Sequence, residues 1–403
     1  MLSVAEARDM VRAGFSVLSI ETVGLVDALG RVLAEDVASR LSHPPVAVSA
    51  MDGYAVRAAD ISGAPVELTQ IGESQAGGGY AGTVNIGETV RIFTGAPVPD
   101  GADAIVMQEI TAVDGDRIQI KEAVTEGKFV RPAGLDFSQG DILLQAGTVL
   151  SARDIGLAAA MNVPWLTVRR RPRVAIASTG DELTMPGEPM TAEQIISSNS
   201  LAIGGYVEAF GGTPLNLGIA RDTQESLRQV LEGARGADLL VTTGGASVGD
   251  YDVVRQVMDD DGIDLTFYKV AMRPGKPLIF GRLDGVPLLG LPGNPVSAGV
   301  TSAIFLREAM AAMLGLEADD ASEFAVLGVD LPANDSRQDY LRAKLSVDRE
   351  GNRTAHPFEG QDSSMLARLA RADCLIVRPP EAPAAKAGER VEIIPLRRGM
   401  ITF

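Results

Sequence analysis

Apolar residues open the chain at helical spacing, at Val4, Ala7, Val11 and Phe15, behind a capping pair formed by Ser3 and Glu6. This pattern predicts a helical stretch over 3–40. Near His43-Pro44-Pro45 it gives way to short runs rich in Val, Ile, Thr and Gly. These predict strands at 67–71, 89–93, 104–108 and 117–120, with β character to about residue 145. A second helical segment is predicted over 152–161. With helices on both sides, the β-rich stretch 46–140 reads as an insertion into a helical layer built from 1–45 and 141–170.

The basic run Arg169-Arg170-Arg171-Pro172-Arg173 marks a boundary and reads as a solvated linker. Beyond it, apolar runs at 174–177, 215–220, 239–241, 265–270, 278–280 and 287–290 alternate with helical patterns at 198–210, 223–233, 252–258 and 295–314. Over 171–318 this is a doubly wound α/β pattern, in which ligands bind at the carboxyl ends of strands. Strands at 324–327, 341–347, 374–377 and 391–394 predict a C-terminal β-barrel-like domain over 319–403. The expected fold is α/β multidomain: a central doubly wound domain, a helical layer, a β-rich inserted domain and a C-terminal β domain.

Composition narrows the chemistry. A chain of 403 residues with 46% hydrophobic and 22% charged residues has the profile of a globular protein of several domains. Its net charge of −17 argues against nucleic acid and against an anionic membrane surface as partners. No apolar run reaches the roughly 18 residues of a membrane span, and the N-terminus lacks the apolar core of a signal peptide. The single cysteine, Cys374, excludes an internal disulfide and suits a reducing compartment, so a cytoplasmic location is expected. Only His43 and His356 are present, both expected to be structural, so any metal site must rest on oxygen ligands, which points to magnesium.

Candidate chemistry gathers at the strand ends of the α/β stretch. They carry Ser178-Thr179-Gly180-Asp181-Glu182, Arg221-Asp222, the glycine turn 242–252 (TTGGASVGDYD), Arg273-Pro274-Gly275-Lys276-Pro277 and Leu291-Pro292-Gly293-Asn294-Pro295. A strand that ends in a glycine turn and opens a helix is an anion site, with Gly244 and Gly245 letting the backbone approach a ligand. Asp250 and Asp252 in that turn would repel a phosphate unless a divalent cation lay between them. Asn294 as N-cap with Pro295 at the first helical position predicts a second anion cradle. Arg273 and Lys276 offer cations, while Asp181, Glu182, Asp222, Asp250 and Asp252 offer hard oxygens. Asp222 and Asp252 read equally well as helix caps; the consecutive pair Asp181-Glu182 does not. The residues thus point to a phosphate-containing ligand held through magnesium, with chemistry at a phosphoryl or similar oxyanion centre.

Further motifs carry a resemblance. Ser49-Ala50-Met51-Asp52-Gly53-Tyr54-Ala55, Thr94-Gly95-Ala96-Pro97-Val98-Pro99 and Gly101-Ala102-Asp103-Ala104 precede Ser178–Leu183, the glycine turn and Leu291–Pro295. In this order, over essentially the whole chain, they resemble the MoeA/gephyrin E-domain family of molybdopterin molybdenumtransferases. The resemblance implies a MogA-like molybdopterin-binding α/β domain and an elongated homodimer in which that domain faces the insertion of the partner. It also implies magnesium-dependent insertion of molybdate into adenylylated molybdopterin with release of AMP. Asp52, Thr94 and Asp136, with Glu182, are the implied catalytic group, and Arg131 completes the wall offered by the insertion.

By the same resemblance Thr179, Gly180, Gly244, Gly245, Ser247, Pro292 and Asn294 hold the pterin's phosphate. Arg273 and Lys276 draw in molybdate, and Asp181, Glu182, Asp222 and Asp252 position magnesium, Asp252 being preferred to Asp250. Implied partners are a second copy, the pterin and molybdate, with the upstream adenylyltransferase and the recipient molybdoenzymes as candidate protein partners. The sequence departs from the family at Val46-Ala47-Val48, where an aromatic-Asp-Asn run is usual, and at Arg273, where Lys is common. Two rival functions share the signature. A molybdopterin adenylyltransferase needs only the α/β domain, and a gephyrin-like scaffold is not expected, because no long disordered linker or second fused domain is read in these 403 residues.

Overall fold

The computed structural model describes residues 1–221, 223–244, 264–317 and 322–396. Its central sheet has the strand order Thr213–Ala220, Arg173–Thr179, Leu239–Thr243, Val286–Leu291, Ile279–Leu283, Asp264–Tyr268. The first four strands are mutually parallel and Ile279–Leu283 runs against them. Alternate residues of the central strands feed two cores. Val174, Ile176, Leu239 and Val241 pack with Ile203, Val207, Val296 and Val300, whereas Ala175, Ala177 and Leu240 pack with Val230 and Ala234. Burial on both faces is why these strands read as continuous apolar runs, and it confirms the doubly wound α/β arrangement. The helix predicted at 252–258 lies outside the described residues.

The helical run Pro295–Leu314 contains a π-helical segment, Ser302–Leu306, and is mostly buried. Among the described residues it is the one helix long and apolar enough to cross a membrane, and its apolar surface is used in the core.

The first helix, Val4–Ala13, has the predicted capping box: Ser3 Oγ accepts from the Glu6 amide at 3.2 Å and Glu6 Oε2 accepts from the Ser3 amide at 2.9 Å. It ends at Gly14, and Val4, Ala7 and Val11 join the α/β core beside Met310 and Met313. The helical stretch expected to residue 40 is not formed. Ile20–Gly24 pairs with Trp165–Arg169 and Val37–Ala38 with Ile142–Leu144, leaving only the 3-10 turn Leu25–Asp27. Strand partners more than 100 residues away override local periodicity here. The layer predicted as helical is therefore two strand pairs and one helix, Ala152–Ala160, around Leu33, Leu144, Leu150 and Leu166.

The arginine run is likewise not a solvated linker. Arg170 donates to both Asp238 oxygens, at 2.7 and 2.6 Å, and Asp238 also accepts from the Arg173 amide at 2.8 Å. The fork of the guanidinium thus fixes the entry to the central sheet.

The insertion is a six-stranded sheet ordered Ala104–Met107, Gly53–Val56, Glu88–Ile92, Val66–Ser74, Arg117–Ile120, Thr111–Asp114. The C-terminal strands Gln338–Val347, Arg353–Pro357, Glu323–Leu327, Arg390–Pro395 and Cys374–Arg378 pair in a closed ring. The barrel predicted from sequence is thus a barrel in fact. The short strand Met272–Arg273 joins it, parallel to Gln338 and Asp339. Both histidines have structural contacts: His43 stacks on Phe137, and His356 Nε2 lies 3.1 Å from Ser346 Oγ.

Candidate functional site

Parallel pairing of Arg173–Thr179, Leu239–Thr243 and Val286–Leu291 brings their carboxyl ends out together. There the α/β sheet and a loop of the C-terminal domain enclose a cleft of about 890 Å³. Of the residues singled out by sequence, Thr179, Glu182, Gly244, Arg273, Lys276, Pro292 and Asn294 line it. Two glycines explain its shape. Gly180 has φ +146°, and a Cβ there would lie 2.4 Å from a carboxylate oxygen of Glu182, so its absence lets Glu182 fold back over the strand end. Gly244 has φ +97°, and a Cβ would lie 2.3 Å from the carbonyl oxygen of Thr179. The missing Cβ at Gly244 thus lets two neighbouring strand ends pack closely, with Gly244 itself in the cleft wall. The Thr179 hydroxyl is buried with no partner among the described residues.

Two further expectations are corrected. Asn294 stands at the N-cap position, but its side chain makes no cap; Nδ2 donates to Ser363 Oγ at 2.9 Å. The Val296 amide donates to Ser363 O at 3.1 Å, so the C-terminal loop takes up part of the predicted anion cradle. Arg273 lies in the cleft wall, but its guanidinium pairs with Asp339 and, at 3.1 Å, with Asp335. The hydrogen bond to Asp339 raises its pKa above the ordinary arginine value. It is not a free cation. Lys276 is exposed, and no carboxylate partner for it exists among the described residues.

Sequence reasoning missed several members of this wall. Asn199 Nδ2 donates to Thr243 Oγ1 at 2.9 Å and to Gly293 O at 2.7 Å, tying two strand ends together; the polar run 197–199 before a helix was an available signal. Gln361, Asp362, Ser363 and Ser364 come from the C-terminal domain. Behind them the fully buried Arg342 donates through Nη2 to Asp362 O at 3.0 Å, while its Nε and Nη1 have no partner among the described residues. Asp181 is not in the cleft wall; its carbonyl accepts from Arg221 Nη1 at 3.0 Å. Asp222, Gly245, Ser247, Asp250 and Asp252 lie outside the described residues. Among those described, no three His, Cys, Asp or Glu side chains form a metal-binding group.

The insertion holds a second constellation. Asp52 Oδ1 accepts from the Thr94 amide at 2.7 Å and from the Thr94 hydroxyl at 2.8 Å. These bonds, the amide first, hold its carboxyl below the ordinary aspartate range, helped by Arg91. Arg91, unnoticed in the sequence, packs against the rings of Tyr54 and Phe93 and donates to Gly53 O at 3.1 Å and Gln108 Oε1 at 2.6 Å. The two motifs meet where Ser49 O accepts from the Gly95 amide, and on its other side Gly53 packs against Val106 O, which a Cβ would approach to 1.9 Å. Val48, in the atypical 46–48 run, pairs with Arg131 across a two-stranded ribbon. Arg131 and Asp136 are exposed. None of Asp52, Thr94, Arg131 and Asp136 lines the cleft.

Thr94→Val keeps the amide donor and deletes the hydroxyl. Because the folded pKa of Asp52 is depressed, what its charge contributes is present above the unfolded value and lost as pH falls through the folded one. The variant should lose it at higher pH, and a carbon-13 titration of the Asp52 carboxyl should rise toward the ordinary aspartate value. An unmoved titration would show that the hydroxyl is not what holds the carboxylate.

Three family profiles match the chain: MoeA N-terminal region (domain I and II) over 2–162, Probable molybdopterin binding domain over 175–312, and MoeA C-terminal region (domain IV) over 325–396. A molybdopterin molybdenumtransferase of Nostoc sp. is 37% identical over 387 residues, covering 93% of this chain and 88% of the relative. Molybdopterin molybdenumtransferase 2 of Mycobacterium tuberculosis is 36% identical over 406 residues, covering 98% and 99%. The crystal structure of a molybdopterin biosynthesis MoeA protein from Pyrococcus horikosii superposes with a TM-score of 0.84 at 30% identity, covering 98% of this chain and 99% of that one.

Proposed function

The chain belongs to the MoeA family of molybdopterin molybdenumtransferases, and on that premise we propose that it inserts molybdate into adenylylated molybdopterin with release of AMP. One observation carries the assignment of the site: the cleft gathers Glu182, the Thr179 hydroxyl and the Lys276 ammonium, the last two without partners among the described residues, at the ends of the pterin-domain strands. Lys276 attracts the oxyanion locally, where a net charge of −17 would repel it at long range. Thr179, the strand-end turns at Gly180, Gly244 and Pro292, and Asn294 orient the phosphate. Gly245 and Ser247 keep their proposed roles there.

Asp52 with Thr94, and Arg131 with Asp136, stand outside the cleft of their own chain. The proposed working unit is therefore a homodimer in which this set faces the cleft of a second copy. Asp52, held ionised by Thr94, then orients molybdate from across the interface.

The donor chemistry fits magnesium. Glu182 presents a carboxylate in the same cleft as the Thr179 hydroxyl, and Asp222 and Asp252 are the further oxygen donors that would hold the ion, whereas Asp181 stands outside the cleft wall. When bound, magnesium supplies charge neutralisation at the pyrophosphate. Glu182 would help hold the ion, and the enclosing C-terminal loop excludes water. Cys374, fully buried and pushed up to about 12 by burial, suits a reducing compartment, and the cytoplasm is the proposed location. The upstream adenylyltransferase and recipient apoenzymes are the proposed protein partners.

Neither rival function is favoured, since family matches run from the insertion to the C-terminal domain. Purified protein given adenylylated molybdopterin, molybdate and magnesium should release AMP and form cofactor without consuming ATP. Pterin adenylylation from ATP without molybdate use would reverse the assignment.

A further inference from the structure

Arg273 stands in a backbone stitch between the α/β region and the C-terminal barrel. Met272–Arg273 runs parallel to Gln338–Asp339, and the Gln338 amide donates to Ala271 O at 2.9 Å. The guanidinium adds a side-chain clasp at the same point: Nη1 to Asp335 Oδ2 at 3.1 Å, and Nη2 to Asp339 Oδ2. Asp339 is 5% exposed and its Oδ1 has no partner among the described residues, so it leans heavily on Arg273. Asp335 is shared with Arg337 at 3.0 Å.

Two arginines and two aspartates sum to zero at this cluster, so an incoming dianion meets no net positive charge there. Lys276, three residues on, is a lining cation with no carboxylate partner among the described residues. Its loop is pinned a second time at Gly275, whose φ is +110° and where a Cβ would lie 2.6 Å from Thr301 Cγ2.

We propose that Arg273 is a positioning residue: with Asp339 and Asp335 it clamps loop 273–277 to the C-terminal barrel and so sets where the Lys276 ammonium stands in the cleft. The inference rests on the reading of this cleft as the oxyanion site. The planar fork of arginine reaches two carboxylates at once, which a single ammonium at this position would not do with the same fixed geometry.

The test is whether the acid phenocopies the base. Arg273→Gln and Asp339→Asn should each raise KM for molybdate about tenfold with kcat within about twofold, as for loss of a charge-assisted clamp, and the double variant should be no worse than either. Arg273→Lys should be intermediate. Asp335→Asn, at the more exposed partner, should show a smaller effect in the same direction and covers the case in which Asp339→Asn folds poorly.

Hydrogen exchange at amides 271–277 and 338–343 should quicken in Arg273→Gln and Asp339→Asn alike. If Asp339→Asn left KM unchanged or lowered it while Arg273→Gln raised it, Arg273 would be gripping the oxyanion and the clamp would be refuted. Unaltered exchange would refute it too. A wild-type protein inert toward molybdate would instead remove the functional reading, and exchange would still decide the clamp.

Discussion

Glu182→Gln is expected to lower molybdate-dependent AMP release by about 100-fold or more, the scale of removing one electrostatic group aimed at developing charge. Glutamine is nearly isosteric, so the side chain can still fold over Gly180. What disappears is the carboxylate that lines the cleft at the end of the first parallel strand. Thermal unfolding should be almost unmoved, because the side chain stands at the cleft surface rather than in a core. Steady-state AMP release and calorimetry on the same preparation separate the two effects. A variant retaining near wild-type turnover would remove Glu182 from the chemistry.

Gly244→Ala should act through the backbone. At φ +97° an L-residue is strained, and its Cβ would stand 2.3 Å from the Thr179 carbonyl oxygen, an atom held in the central sheet. Strain of this kind is about 1–3 kcal/mol, and relief requires the strand ends at Thr179 and Gly244 to separate. The expected result is a clear fall in Tm together with loss of pterin binding. Gly293→Ala is the matched control: its nearest new neighbour would be 3.5 Å away, an ordinary contact, and its φ is not positive. Equal behaviour of the two variants in thermal denaturation would show that the strand-end packing is not what Gly244 serves.

The sequence made the α/β region legible because its strands are buried on both faces and its helices carry clear periodicity. Strand-end motifs then fell at one edge of one sheet, which is how Thr179, Glu182, Lys276 and Pro292 could be grouped without coordinates. The strands within 15–40 are not legible because their pairing partners, Trp165–Arg169 for Ile20–Gly24 and Ile142–Leu144 for Val37–Ala38, are remote in the chain and leave no local trace. The same limit hid the C-terminal contribution: Ser363 reaches the Asn294 helix start only because the barrel closes against the α/β region. Arg273 was recognised as a cation near the cleft, yet its commitment to Asp335 and Asp339 depends on a strand pairing no spacing rule reveals. Arg91 was invisible for a different reason, since its role comes from two rings on neighbouring segments of the inserted sheet.

In the proposed dimer one functional site is assembled from two copies, with the Asp52 set of one chain completing the cleft of the other. Differentially tagged chains carrying Asp52→Asn and Glu182→Gln test it directly when co-expressed and purified as the mixed dimer. Each homodimer of a single variant should be inactive. The mixed dimer holds one doubly damaged site and one intact site, and should therefore recover about half of wild-type AMP release. A mixed dimer as inactive as its parents would place Asp52 and Glu182 in the same chain's site and contradict the account.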